Sequence, residues 1–361
     1  MSVFLRLFFL GLLAVVLVLP VLARKVDQSE ARVCAAPLHP KLVTEMLPHD
    51  SDDPAIWINR ADPAQSLVLG TDKNAAGGLY VFDLKGRIVK EKSIKNLQRP
   101  NNVDVEYGLD CAGKKIDIAV VTERLAHQLR IFRLPDMTAV DNGGLEVFIG
   151  EEGDKARDLM GIALYKCPRD EQIYAVVGRK TGPSGSYLWQ YRLHDDGRGL
   201  VTGTLVRKFG LYSGKNEVEA IAVDDLLGYI YYADEGVGVR KYYADPERGD
   251  AELALFATSG FTEDHEGIAI YCEDEKNGYI LVSDQEANLF HVFPRQGAPD
   301  NPHRHDLITI METATVACDG CDATAVALGK SFPQGLLVAM SDNSTFQFYN
   351  WKDIAGRLKR K

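Results

Sequence analysis

One phrase returns six times along this chain: a short apolar strand with a polar start, a turn, a second apolar strand ending in charge, then a third strand rich in aromatics. The copies open at Asp53-Pro-Ala-Ile-Trp57, Asn102, Met160, Glu219, Glu266 and Asp322, roughly every 50 to 60 residues. A unit of that length cannot bury its own apolar face, so each copy must stack on the next, as propeller blades do. Second strands read at Ser66–Gly70, Lys115–Val121, Gln172–Val177, Tyr229–Ala233, Tyr279–Val282 and Gly335–Ala339, and aromatic third strands follow each of them. Gly, Asp and Asn turns separate the strands, and no long amphipathic helix competes, the stretch Trp351–Leu358 excepted. The spacing predicts an all-β fold, a six-bladed β-propeller with four-stranded antiparallel blades.

The first residues form a separate segment. Arg6 precedes an apolar run from Leu7 to Leu22 that closes on Val21-Leu22-Ala23, so residues 1–23 read as a secretory signal peptide, with an uncleaved anchor as the alternative. Residues 24–48 follow as an exposed lead and residues 49–361 as the propeller. The chain is then expected to be secreted or periplasmic, with no stable membrane partner after cleavage. Six cysteines in an exported chain favour disulfides, and Cys318-Asp-Gly-Cys321, without a second pair or nearby histidines, is weak evidence for zinc. A net charge of −10 excludes nucleic acid and anionic membrane surfaces as partners, because both require basic patches.

Strand order concentrates charge at one end. Neighbouring strands run antiparallel, so the start of each first strand lies beside the end of each second strand. The starts carry Asp52, Asp53, Asn101, Asn102, Asp158, Glu217, Glu219, Asp264, Glu266, Asp319 and Asp322. The ends carry Lys73, Arg124 and Arg179-Lys180 in the first three blades, then Asp234-Glu235, Asp284 and Asp342 in the last three. Surface charge normally mixes signs, so a mouth with a basic half and an acidic half calls for a reason. Carboxylates gathered at one channel repel one another unless cations sit among them, and an oxygen-only ligand set favours calcium, with magnesium second. Nucleophilic-serine, phosphate-loop and dinucleotide motifs are missing.

The run His49-Asp-Ser-Asp-Asp-Pro-Ala-Ile-Trp57, with Thr71-Asp-Lys73, Gly78–Gly86, Asn101–Val105, Glu219–Asp225, Tyr232–Glu235 and Asp264-His-Glu-Gly267, closely resembles the β-propeller phytases over about residues 45 to 355. The resemblance implies a calcium-dependent, 3-phytase-like phosphatase that hydrolyses myo-inositol hexakisphosphate (phytate), as a monomer, by attack of a water held between metals. It implies several calcium ions on Asp52 or Asp53, Glu219, Glu235, Asp264 and Glu266, with Asp319 a further acidic position near the site. Lys73, Arg124 and Arg179 or Lys180 become phosphate binders, and Lys73, Arg124, Glu219 and Glu235 the catalytic set. Two positions depart from the family pattern: Met160 stands where a phosphate-contacting tyrosine is usual, and Asn74 where a second lysine follows the first. Such calcium would reverse the local sign, so that a polyanion, or its calcium complex, binds an acidic protein. Two other readings are a calcium-binding propeller hydrolase of the lactonase type, which leaves three successive basic blade ends unexplained, and a non-catalytic binding propeller.

Overall fold

The computed structural model describes residues 36–358. Among them six antiparallel sheets succeed one another as the blades of a six-bladed β-propeller. The inner strands are Ser51–Trp57, Pro100–Cys111, Leu159–Lys166, Ile221–Asp224, His265–Cys272 and Cys321–Thr324. Each pairs with a second strand, in order Leu67–Asp72, Lys114–Glu123, Ile173–Arg179, Tyr229–Asp234, Gly278–Asp284 and Leu336–Ser341. The second strands are buried along almost their whole length, which is why they read as short continuous apolar runs instead of alternating ones. Between the second and third blades Ile118, Val120 and Ile131 meet Leu164, Val177 and Trp189 in one buried cluster, each apolar side chain contributing about 1.5–3 kcal/mol by burial.

The last blade closes the ring with chain from the other end. Leu42–Val43 pairs with the third strand of blade six, Leu42 opposite Phe348 and Val43 opposite Gln347. The lead expected to run exposed to residue 48 is therefore partly built into the propeller, and Leu38 and Leu47 are buried. Residues 1–23 lie outside the described residues, so the expected signal peptide does too. Among the described residues no helix is long and apolar enough to cross a membrane.

The expected disulfides are not formed among the described residues: Cys111, Cys167, Cys272, Cys318 and Cys321 are free thiols, and Cys34 lies outside the described residues. Cys318 to Gly320 run straight into the sixth inner strand without a turn, whereas a Cys-x-x-Cys bridge needs the chain to double back. Both of these thiols are buried, and burial pushes their pKa values up.

Four inner strands break register at the same end, between Ser51 and Pro54, Pro100 and Val103, Leu159 and Ile162, and His265 and Ile268. Such irregularities re-aim successive side chains, and they fall on Asp52-Asp53, Asn101-Asn102, Met160-Gly161 and Glu266-Gly267. Two glycines allow close approach there. A Cβ on Gly161 would lie 1.9 Å from the Glu219 carbonyl oxygen, and one on Gly320 would lie 2.5 Å from an Asp53 carboxylate oxygen. Neighbouring inner strands thus converge on one mouth.

Candidate active site

The ends of the second strands obey a rule of two. The last strand residues are Asp72, Glu123, Arg179, Asp234, Asp284 and Ser341, all buried, and each grips a loop of its own face. Asp72 accepts from the Asp50 amide at 3.0 Å, and Glu123 from the Gln98 amide at 2.7 Å. Asp234 accepts from the Ser213 amide at 3.0 Å and Asp284 from the Thr262 amide at 3.1 Å. The Ser341 hydroxyl accepts from the Val316 amide at 3.1 Å. Arg179 follows suit: its guanidinium donates to Glu151 at 2.6 Å, to the Ser186 carbonyl at 3.2 Å and to the Ala156 carbonyl at 3.3 Å. It also lies over the Phe148 ring, 4.8 Å from the centroid. With no exposed side-chain surface, Arg179 is not presented to the mouth.

In the first five blades the next residue points the other way, as strand alternation requires, whereas Asp342 of the sixth is exposed in a turn. Lys73 reaches Asp52 at 2.8 Å and also meets Asp319. Arg124 donates from Nε to the Leu159 carbonyl at 3.1 Å and rests against the Met160 thioether. Lys180 pairs with Glu217 at 2.7 Å. Glu235 accepts from the Glu217 amide at 3.1 Å. Gln285, absent from the residues the sequence singles out, donates its amide to Asp319. Its signal is positional, since it follows Ser283-Asp284 just as Glu235 follows Ala233-Asp234.

Among the strand-start acids, Asp52 and Asp53 part company. Asp52 joins Lys73, whereas Asp53 accepts from the Val103 amide of the next blade at 3.0 Å. Asp322 and Asp104 make the same strap at other junctions, to Ile56 at 2.8 Å and to Leu164 at 2.7 Å. These three carboxylates line a channel of about 620 Å³ beneath the mouth.

On the acidic side Glu235, Asp264 and Glu266 bring carboxylate oxygens within 4.8 Å of one another. Glu219 accepts from the Asn101 amide at 2.7 Å, and Asp264 from the Asn216 amide at 2.6 Å. The electrostatics follow from crowding. Burial, with the charge of Asp52, pushes Glu219 up to about 8 against the pull of Lys73. Burial, with the charges of Glu217 and Glu219, takes Glu235 up to about 9. Burial raises Glu266 in the same way, and Glu219 and Glu235 add to it. Asp319 rises to about 6 through burial and Asp52, restrained by Lys73. Burial alone would depress Lys73, but Asp52, Asp319 and Glu219 outweigh it and hold the ammonium protonated.

Glu235 Oε1, Glu266 Oε2 and Asn101 Oδ1 are buried without a hydrogen-bond partner. Orphaned oxygens beside carboxyls forced towards protonation fit a hard cation, and the donors offer neither nitrogen nor sulfur.

Fold and mouth together define a six-bladed propeller whose mouth sets a wall of crowded carboxylates against a wall of lysine and arginine. The phytase family model matches residues 9–358 of the chain. The 3-phytase of Bacillus subtilis (strain 168) is 30% identical over 325 residues, covering 85% of this chain and 81% of that protein. The chain belongs to the phytase family, and it is an enzyme of that class.

Proposed function

We propose that the chain is a calcium-dependent phosphomonoester hydrolase that releases phosphate from myo-inositol hexakisphosphate, exported behind residues 1–23 and acting as a monomer. The observation that carries this reading is the division of the mouth. Lys73, Arg124 and Lys180 occupy one side, while Glu219, Glu235, Asp264 and Glu266 crowd the other, Glu235 and Glu266 each with an orphaned oxygen. Glu235, Asp264 and Glu266 would hold one ion, and Glu219 with Asp52 and Asp319 would hold others nearer Lys73. Calcium bound there supplies positive charge to the phosphoryl oxygens and acidifies water for attack.

The chain's own groups do the rest. Arg124, anchored through Nε on the Leu159 carbonyl and through Nη2 on the Met160 thioether, keeps Nη1 for a phosphoryl oxygen, and the protonated Lys73 donates beside it. Lys180 would exchange Glu217 for a neighbouring phosphate of the same substrate. Strand ends set these positions, so the donors are organised before substrate arrives. In-line displacement by water requires no covalent enzyme intermediate. Phosphate release from phytate, assayed with calcium and with excess chelator, tests the reading: activity in calcium that chelator abolishes is expected, and equal rates in both would overturn calcium dependence. No release under either condition would overturn the substrate.

A further inference from the structure

The acids of the mouth fall into two groups according to what holds them. Asp52 and Asp319 share Lys73, and Glu217 has Lys180, so these three are already paired with fixed cations. Glu219, Glu235, Asp264 and Glu266 have no lysine or arginine nitrogen within ion-pairing distance among the described residues. Their donors are neutral: the Asn101 amide for Glu219, the Asn216 amide for Asp264 and the Glu217 backbone N–H for Glu235. A lysine in place of such a donor would neutralise the carboxylate and compete with an incoming cation. An amide fixes the carboxylate's direction and leaves its charge intact.

Asn101 is the most constrained of these donors. It is fully buried, and its backbone carbonyl accepts from the Thr71 hydroxyl at 2.6 Å. Its Nδ2 spends both hydrogens, one on Glu219 Oε1 at 2.7 Å and one on Asn102 Oδ1 at 3.0 Å. Turning the amide over would set its oxygen against two other oxygens, so the orientation is locked. The contact joins the second blade to the fourth, 118 residues apart, over the third. Gly161, on the third inner strand, lets the Glu219 backbone come in close enough, where any Cβ would collide with it. With Oε1 taken, Glu219 keeps its other oxygen for a cation, and Asn101 Oδ1 lies buried beside it without a donor.

We infer that Asn101 is a positioning residue that holds Glu219 in its cation-binding orientation without neutralising it. The inference rests on the calcium reading above. Calorimetric titration of calcium into the chelator-stripped full chain tests it, with Asn101→Leu as a near-isosteric variant lacking hydrogen bonds. Loss of a partner that orients a ligand weakens metal binding by about 10- to 100-fold. Asn101→Leu is accordingly expected to raise the calcium Kd about tenfold or more, and to lower kcat at fixed calcium more than it raises KM. In a Glu219→Gln background the same substitution is expected to change the Kd less than about twofold, because both act on one ligand. A purely structural asparagine would give additive effects in that double mutant, and additivity would overturn the inference, as would wild-type affinity in Asn101→Leu. Should Asn101→Leu fail to fold, Asn101→Ser, smaller and still polar, takes its place in the same titration: a weakened Kd supports the inference and wild-type affinity overturns it. Absence of calcium binding in the wild-type chain would instead overturn the calcium reading itself.

Discussion

Lys73 and Asp319 form an ion pair between the first blade and the segment entering the sixth, and Asp52 lies against the same ammonium at 2.8 Å. One cation therefore compensates two carboxylates from the two blades on either side of the ring closure. Lys73→Met keeps the aliphatic stem and removes the charge. Breaking a well-buried pair costs about 3–5 kcal/mol, but Lys73 is 21% exposed, and solvent screening reduces this to roughly 2 kcal/mol. The expected result is a lower Tm in chelator, largely restored by calcium, together with a loss of turnover that calcium does not restore. Calorimetric Tm values with and without calcium, set beside kcat, check it. Equal Tm loss in both conditions would argue against cations sharing the Lys73 environment.

Parity along a strand separates Arg179 from Lys180. Arg179→Met leaves Glu151 with Lys208 alone, at 3.6 Å, and empties the guanidinium from between the Ala156 and Ser186 carbonyls, at an expected cost of about 3 kcal/mol. Lys180→Ala touches only the Glu217 pair at the mouth, so its stability should move by less than about 1 kcal/mol while KM for phytate rises several-fold. Urea denaturation and steady-state kinetics on the two variants distinguish these outcomes. A stable Arg179→Met enzyme with impaired KM would invert the assignment.

The same parity shows where sequence reading stops. Blade number and strand order follow from the repeat, because a period of 50 to 60 residues with aromatic third strands leaves few alternatives. The gathering of charge at one end also follows, since antiparallel pairing alone puts strand starts beside strand ends. Whether Arg179 or Lys180, and Asp52 or Asp53, faces the mouth depends on one residue of register, and the irregularities after Ser51 and Leu159 reset that register locally. Pairing of Leu42 with Phe348 joins two ends of the chain and leaves no local trace. Nor does a free pair of cysteines in an extended run, when spacing alone suggests a bridge.

Arg124 carries the strongest kinetic expectation. Its Nε is fixed by the Leu159 carbonyl, and among the described residues it has no carboxylate partner, so its charge is uncommitted. Arg124→Ala removes a pre-aimed donor to transition-state charge, worth about 100- to 1,000-fold in kcat. The fold should persist, because the guanidinium lies at the mouth and outside the blade core. Single-turnover phosphate release by the folded variant decides the matter, and a wild-type rate would remove Arg124 from the chemistry.

The last expectation concerns pH. Asp319, Glu219 and Glu235 have folded pKa values of about 6, 8 and 9, all above the ordinary carboxyl range. A raised folded pKa means that the native state holds its proton more tightly than the unfolded chain does. The associated stability is therefore complete at low pH and is lost as pH rises through the folded values. In chelator, the Tm should fall steadily between about pH 5 and pH 9. Calcium favours the ionised forms, so it should reverse that fall, and the Tm difference between calcium and chelator should widen as pH rises. Each bound ion should also displace protons, which calorimetry in two buffers of different ionisation enthalpy would count. A chelated Tm that climbs over the same range would mean that these carboxyls are already ionised in the folded chain and that the crowding at the mouth is relieved by something other than protons.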